Sequence, residues 1–247
     1  LTPESGLLAC DRIGDGRMVD PELIQLAITS GLINKDKYGI LKKDWLGKKL
    51  LVTSGPTVEA LDPARLITNR SSGLMGVLLA QAARLRGAQV DLIHGPLQLS
   101  QGLIDGLNTH RVNDSLDMQK SLTLLQPSAD AVVMAAAVAD IRRKGGAISN
   151  KLSKEDLLAS MSSAFEAVPD LLGEMVQRRT NGQILLGFAA LTGNDFELEK
   201  LGKEKKLRKG CDLLMANPID RIGQGFEKNA NGGFLLGPKG MVKSIPV

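Results

Sequence analysis

From Lys48 onward this 247-residue chain alternates short apolar runs with helix-patterned stretches, and that alternation constrains its fold more than any other feature. Strands apolar along their whole length suit burial on both faces, and an amphipathic helix after each one implies a parallel sheet. The expected strands are Lys49–Thr53, Gln89–His94, Ala131–Ala136, Gln183–Phe188 and Asp212–Ala216, with helices near 74–86, 115–126, 170–179 and 194–209. Asn194 is placed to cap the last of these helices and Gly210 to end it. Gly233–Leu236 and Met241–Ile245, around Gly237-Pro238, predict an antiparallel hairpin on the sheet edge. The expected class is therefore α/β, mostly parallel, with helices on both faces. Residues 1–47 read differently: a loop through Ala9-Cys10-Asp11 and Gly14 to Met18, a short helix from Pro21 to Ser30, and a polar linker from Asn34 to Gly47.

Hydrophobic residues make up 43% of the chain and aromatics only 3%, so a sizeable core must be built mostly from Leu, Val, Ile and Ala. A net charge of +4, with no interleaving of basic and aromatic residues, argues against a nucleic-acid binder and suits a basic pocket for a phosphorylated small molecule. The two cysteines, Cys10 and Cys211, lack metal-like spacing and point to a reducing, cytoplasmic setting. No apolar run reaches the length of a membrane span, and no signal peptide is seen. The chain begins at Leu1 rather than Met and stops on an apolar run at Val247, so a piece of a longer protein is expected.

The segment from Ser54-Gly55-Pro56-Thr57 to Asn69-Arg70-Ser71-Ser72-Gly73 lies between a strand and a helix. Unpaired N–H groups and the helix dipole make such a junction an anion site. In an open α/β sheet ligands sit at the carboxyl ends of strands, so this loop, Asp140, the loop after Phe188 and Asn217 are expected to converge on one cleft. Asp140 follows an Ala-rich strand end and could meet a ribose, a metal or a triphosphate, or could be a solvated loop residue. Lys144 to Lys154 reads as a mobile basic loop that can close over phosphate, and Lys205, Lys206, Arg208 and Lys209 cluster at a helix C-terminus, where dipole compensation is the commoner role. His94 and His110 show no partner spacing, and neither phosphate-binding glycine fingerprint follows the first strand, which argues against a P-loop ATPase or an ordinary NAD enzyme.

Leu51 to Thr57, Asp62 to Gly76, Ala136-Ala137-Val138-Ala139-Asp140, Leu186 to Ala190 and Asp212 to Asn217 together resemble phosphopantothenate–cysteine ligase, over roughly residues 48–247. In many bacteria this ligase is the C-terminal half of a bifunctional coenzyme A biosynthesis protein. Leu8-Ala9-Cys10 with Gly14 to Met18 is similar to the last active-site loop of the fused FMN-dependent decarboxylase, whose cysteine (here Cys10) donates a proton, although Asp11 stands where Gly is usual. The resemblance thus implies residues 1–47 as the tail of that decarboxylase plus a linker, without the FMN-binding body and so without decarboxylation.

What the resemblance implies for 48–247 is a Rossmann-like, homodimeric ligase domain using CTP and Mg²⁺. The carboxylate of 4′-phosphopantothenate attacks the α-phosphate of CTP, pyrophosphate leaves, and the amine of cysteine displaces CMP from the acyl-cytidylate. Carried over by position, Asn69 holds the substrate carboxylate and acyl-cytidylate, with Arg65 assisting. Gly55, Ser71, Ser72 and Gly73 serve phosphate at the helix start, and Ala136, Ala137 and Phe188 line the cytosine pocket. Asp140 contacts nucleotide or Mg²⁺, Lys151 neutralises the triphosphate, and Lys205 and Lys209 match basic positions. Ser153 interrupts the usual lysine loop, Leu191 and Pro218 replace acidic residues, and the family's C-terminal helix is missing. A dinucleotide-dependent reductase of similar fold, or a non-catalytic regulatory protein retaining the fold, are the alternatives.

Overall fold

The structure is a computed structural model that describes the chain except residues 1, 2, 8, 9, 41, 161, 162, 227–229 and 247. Leu8 and Ala9 of the Cys10 motif, and Val247, therefore lie outside the described residues. The elements in order are β1 (Glu4–Leu7), β2 (Ile13–Arg17), α1 (Pro21–Ile33), β3 (Lys49–Ser54), β4 (Val58–Asp62), β5 (Arg65–Thr68), α2 (Leu74–Leu85), β6 (Gln89–His94), β7 (Asn108–Arg111), α3 (Ser115–Leu125) and β8 (Ala131–Met134). There follow β9 (Ile141–Arg143), α4 (Lys154–Ser160), β10 (Phe165–Ala167), α5 (Leu171–Gln177), β11 (Ile184–Leu191), α6 (Asp195–Lys209), β12 (Leu213–Pro218), β13 (Gly233–Leu236) and β14 (Val242–Ile245).

One eight-stranded sheet runs in the order β14-β13-β12-β11-β8-β3-β6-β7. Six neighbouring strands are parallel, and β13 and β14 add an antiparallel edge. Successive residues of β3 show why its sequence reads as continuously apolar. Leu51 enters a core with Met118 and Leu122 of α3 and Met175 of α5, while Leu50 and Val52 join Val77 and Ala80 of α2 and Leu23 of α1 on the other face. From β3 the chain moves outward to β6 and β7 on one side, then returns to place β8 on the other. The sheet's switch point, the usual crevice for a ligand, therefore lies between β3 and β8.

The expected parallel α/β class and the helix positions agree with this fold. Asn194 and Glu197 form a reciprocal capping box, and Gly210 ends α6 in the left-handed conformation at φ 71°. Several expectations change. Of the loop expected through Gly14 to Met18, Gly14 to Arg17 instead belong to β2 of the β1–β2 hairpin, and β8 ends at Met134, two residues before the expected Ala136. The long loop after β3 folds into the β4–β5 hairpin, and β7 forms an unforeseen sheet edge. No helix among the described residues is long and apolar enough to cross a membrane.

Candidate active site at the switch point

The Ala-rich segment after β8 leaves the sheet but remains fastened to the β3 loop. Ala136 N–H donates to Thr53 Oγ1 (3.1 Å), Ala137 N–H to the Gly55 carbonyl (2.9 Å) and Ala139 N–H to Thr57 Oγ1 (2.9 Å). Thr57 N–H returns a bond to the Ala137 carbonyl at 3.2 Å. Both threonines are fully buried, so their hydroxyls act as internal backbone partners. Asn69 completes the lacing: its Nδ2 donates to the carbonyls of Ala137 (3.2 Å) and Val138 (3.1 Å).

Helix α2 begins beside this segment. Gly73 occupies its cap position at φ 86° and supplies no side-chain cap, which leaves first-turn N–H groups open to an anion. The Gly73 carbonyl is held by the Ser54 hydroxyl at 2.6 Å, and Ser72 Oγ accepts from Leu74 N–H at 3.3 Å. This is the phosphate-suited junction read from the sequence, now given its orientation.

A cavity of about 710 Å³ opens at this place, within the size range of small-molecule sites. Asn69, Ser71, Ser72 and Gly73 line it from the β3 side, and Ala136, Ala137 and Asp140 from β8. Phe188 of β11, Asn217 of β12, and Lys205 and Lys209 of α6 complete it. Asn69, Ser71, Ser72, Gly73, Asp140 and Asn217 meet as expected, but β11 runs on to Leu191 and β12 to Pro218, so Phe188 and Asn217 stand within strands rather than after them. Gly55, Arg65, Lys151 and Cys10 do not line this cavity. Gly55 is buried behind it at φ 72°, Arg65 folds back onto Asp62, Lys151 stands exposed on its loop, and Cys10 is exposed at the β1–β2 turn.

Three polar or aromatic lining residues, Asp170, Phe226 and Asn231, went unremarked in the sequence. Asp170 caps α5 through Gly173 N–H (3.1 Å) and also pairs with Lys209 (2.6 Å). Its place at the start of the expected 170–179 helix was the available signal for a cap, but nothing local announces the lysine. Phe226 and Asn231 line the far wall, and Asn231 Oδ1 accepts from Asn217 Nδ2 at 3.2 Å. A lone phenylalanine in a Gly- and Asn-rich loop of an aromatic-poor chain was the available signal.

The two α6 lysines differ electrostatically. Burial raises the Asp170 carboxyl, but the Lys209 ammonium, Gly173 N–H and Arg208 outweigh it and hold the group below its ordinary value. Lys205 has no such carboxylate against it. Burial pushes its ammonium down, Lys209 and Arg208 push the same way, and Asp140 and Asp170 only partly restore it. A lysine held at a cost in a cavity is poised for an anion. Because its folded value lies below the unfolded one, stability should rise with pH just under the ordinary lysine value of about 10.4. Lys205→Met should therefore melt at or above the wild-type temperature, lose that rise in thermal melts, and bind a nucleoside triphosphate roughly tenfold more weakly. A variant that melts lower and binds normally would contradict this.

Comparisons with known proteins place the chain and its fold in a family. Residues 45–247 match the model of the DNA/pantothenate metabolism flavoprotein C-terminal domain. The coenzyme A biosynthesis bifunctional protein CoaBC of Bacillus subtilis (strain 168) is 33% identical over 249 residues, covering 100% of this chain and 58% of its own length. The chain thus spans 58% of that relative. The crystal structure of the C-terminal domain of a CoaBC superposes with a TM-score of 0.63 at 30% identity, over 81% of this chain and 87% of that one. A Cab2 variant in complex with phosphopantothenate-cysteine shares the fold, with a TM-score of 0.65 at 14% identity over 93% of this chain and 88% of its own. With its match running from residue 45 to 247, the chain belongs to the DNA/pantothenate metabolism flavoprotein C-terminal domain family.

Proposed function

We propose that this chain carries phosphopantothenate–cysteine ligase activity: CTP-dependent joining of 4′-phosphopantothenate to cysteine in coenzyme A biosynthesis, in a cytoplasmic homodimer. The observation that carries the reading is the meeting of Asn69, the uncapped start of α2, Asp140, Phe188 and Lys205 in one cavity at the β3–β8 switch point. Residues 1–47 are then the tail of a decarboxylase domain with its linker, and FMN belongs to that domain alone. The names of the relatives, and the phosphopantothenate-cysteine bound by a protein of the same fold, support the substrate class.

The proposed chemistry needs alignment and charge stabilisation more than a protein nucleophile. The substrate carboxylate oxygen bonds to the α-phosphorus of CTP as the bond to the pyrophosphate oxygen breaks. The cysteine nitrogen then bonds to the acyl carbon, CMP departs with the electron pair, and the amine loses a proton. First-turn N–H groups of α2 and the Lys205 ammonium stabilise the phosphates, with Lys151 acting on the triphosphate from its loop. Small side chains at Ala136 and Ala137 let a base approach the backbone opposite Phe188. Asn69 presents an uncharged amide to the acid; a substrate oxygen must replace one of its two long bonds to the Ala137 and Val138 carbonyls.

Among the described residues no group of three or more His, Cys, Asp or Glu side chains could cage a metal. Exposed Asp140 at the cavity instead fits Mg²⁺ carried in by phosphates, which is that ion's usual mode. Bound there, the ion would offset the charge of the triphosphate.

Incubation with CTP, Mg²⁺, phosphopantothenate and cysteine should release pyrophosphate and CMP. No release above that of Asn69→Ala would remove the enzymatic reading. In a thermal-shift panel CTP should raise Tm more than NADPH does.

A further inference from the structure

Asp62, at the end of β4, keeps a charged side chain with 0% exposure. Its carboxylate accepts five hydrogen bonds. Oδ1 receives Ala64 N–H (2.8 Å) and Arg65 N–H (2.9 Å), while Oδ2 receives Arg65 Nε (3.0 Å), Arg65 Nη2 (2.6 Å) and Leu152 N–H (3.2 Å). Arg65 Nη2 also donates to the Leu152 carbonyl at 2.6 Å. The pair thus engages both backbone groups of the residue that follows Lys151, 90 positions from Asp62 in sequence. A second fastening lies nearby, where Ile148 N–H donates to the Leu61 carbonyl at 3.0 Å. The basic stretch that reads as a mobile loop is therefore moored to the β4–β5 hairpin.

The chemistry of the pair suits mooring. The Arg65 guanidinium holds the Asp62 carboxyl down at about 2, so the carboxylate is charged at any working pH. Only a planar fork can grip a carboxylate and a third group in one plane, which an ammonium cannot do. A pair kept solely for stability would be replaceable by apolar side chains of the same volume. Such a replacement could not hold Leu152 by its N–H and C=O.

We propose that Asp62 and Arg65 are positioning residues: a clamp that fixes the Lys151 loop to the hairpin, with Arg65 acting on where Lys151 stands rather than on substrate. The benefit to catalysis rests on the triphosphate role of Lys151 given above. The mooring itself does not.

Trypsin provides a direct test, because the Lys151–Leu152 bond can be cut only after Leu152 leaves the clamp. The measured quantity is the rate at which the fragment ending at Lys151 appears, normalised to cut at exposed Lys37, in wild type, Asp62→Asn, Arg65→Gln, Arg65→Lys and the Asp62→Asn/Arg65→Gln double variant. Loss of a charge-assisted pair should speed that cut roughly tenfold or more in every variant. The double variant should be no faster than the faster single one, since the two side chains act as one unit. Arg65→Lys keeps the charge without the fork and should behave like Arg65→Gln.

In the ligase assay the same variants should raise KM for CTP severalfold more than they lower kcat. Unchanged cutting in variants whose circular dichroism is native would overturn the clamp, as would restoration by Arg65→Lys. Altered catalysis with native protection at Lys151 would also overturn it, placing Arg65 on the substrate instead. Faster cutting in variants of a wild type that releases no pyrophosphate would uphold the clamp while removing the ligase reading.

Discussion

Asn69→Asp should lower kcat/KM for pyrophosphate release by about 10²–10³-fold, the cost of losing one preorganised donor at a reacting oxygen. The swap changes few atoms, yet it reverses two relationships. Both Nδ2 bonds of Asn69 end on carbonyl oxygens, at Ala137 and Val138. A carboxylate in the same place would face those oxygens with no proton to offer, and would push away the Ala-rich segment that lines the cavity. It would also meet the carboxylate of the substrate with like charge. Asn69→Ala removes the donor without adding charge, so its activity should fall between wild type and Asn69→Asp. Steady-state kinetics in both substrates, with CTP-induced Tm shifts alongside, separate displacement of the Ala-rich segment from repulsion of the acid. Wild-type turnover in Asn69→Asp would refute the role given to this residue.

The elements that were legible in the sequence share a physical signature. β3, β6, β8, β11 and β12 are covered on one or both faces by helices, so their apolar runs announce them. β7 reads Asn-Thr-His-Arg at the sheet edge, with no apolar alternation to betray it, and β4–β5 is a bulged hairpin within a stretch that looks like a loop. The cleft was legible because the carboxyl-end rule depends only on strand order and polar residues after each strand. The scaffold of that cleft was not. Thr53 and Thr57 acquire their roles from N–H groups more than 80 positions away, at Ala136 and Ala139. Likewise nothing near Asp62 in the sequence announces Leu152 as its partner, which is why the Lys151 loop looked free.

Gly95→Ala should be strongly damaging, although Gly95 does not line the main cavity. Its backbone has no need of a left-handed conformation; what it needs is space. A Cβ at that position would sit 1.7 Å from the Pro56 carbonyl oxygen, a backbone atom that cannot swing aside. Gly95 N–H also donates to the Ser54 carbonyl at 3.0 Å, so the strand end is held against the very loop it would have to leave. Pushing Pro56 away would strain its neighbours on both sides: the Gly55 carbonyl that receives Ala137 N–H and the Thr57 hydroxyl that receives Ala139 N–H. The expected destabilisation is roughly 3–5 kcal/mol, a Tm lower by about 10 °C for a domain of this size. The CTP-induced shift should shrink as well, because the Ala-rich segment loses its mooring. Gly31→Ala gives the contrast. It lies within α1 with nothing within 4 Å of an added methyl, and it should raise stability by roughly 0.5–1 kcal/mol through helix propensity alone. If the two variants melted alike, the close crossing of Gly95 and Pro56 could not be what holds the Ala-rich wall of the cavity in place.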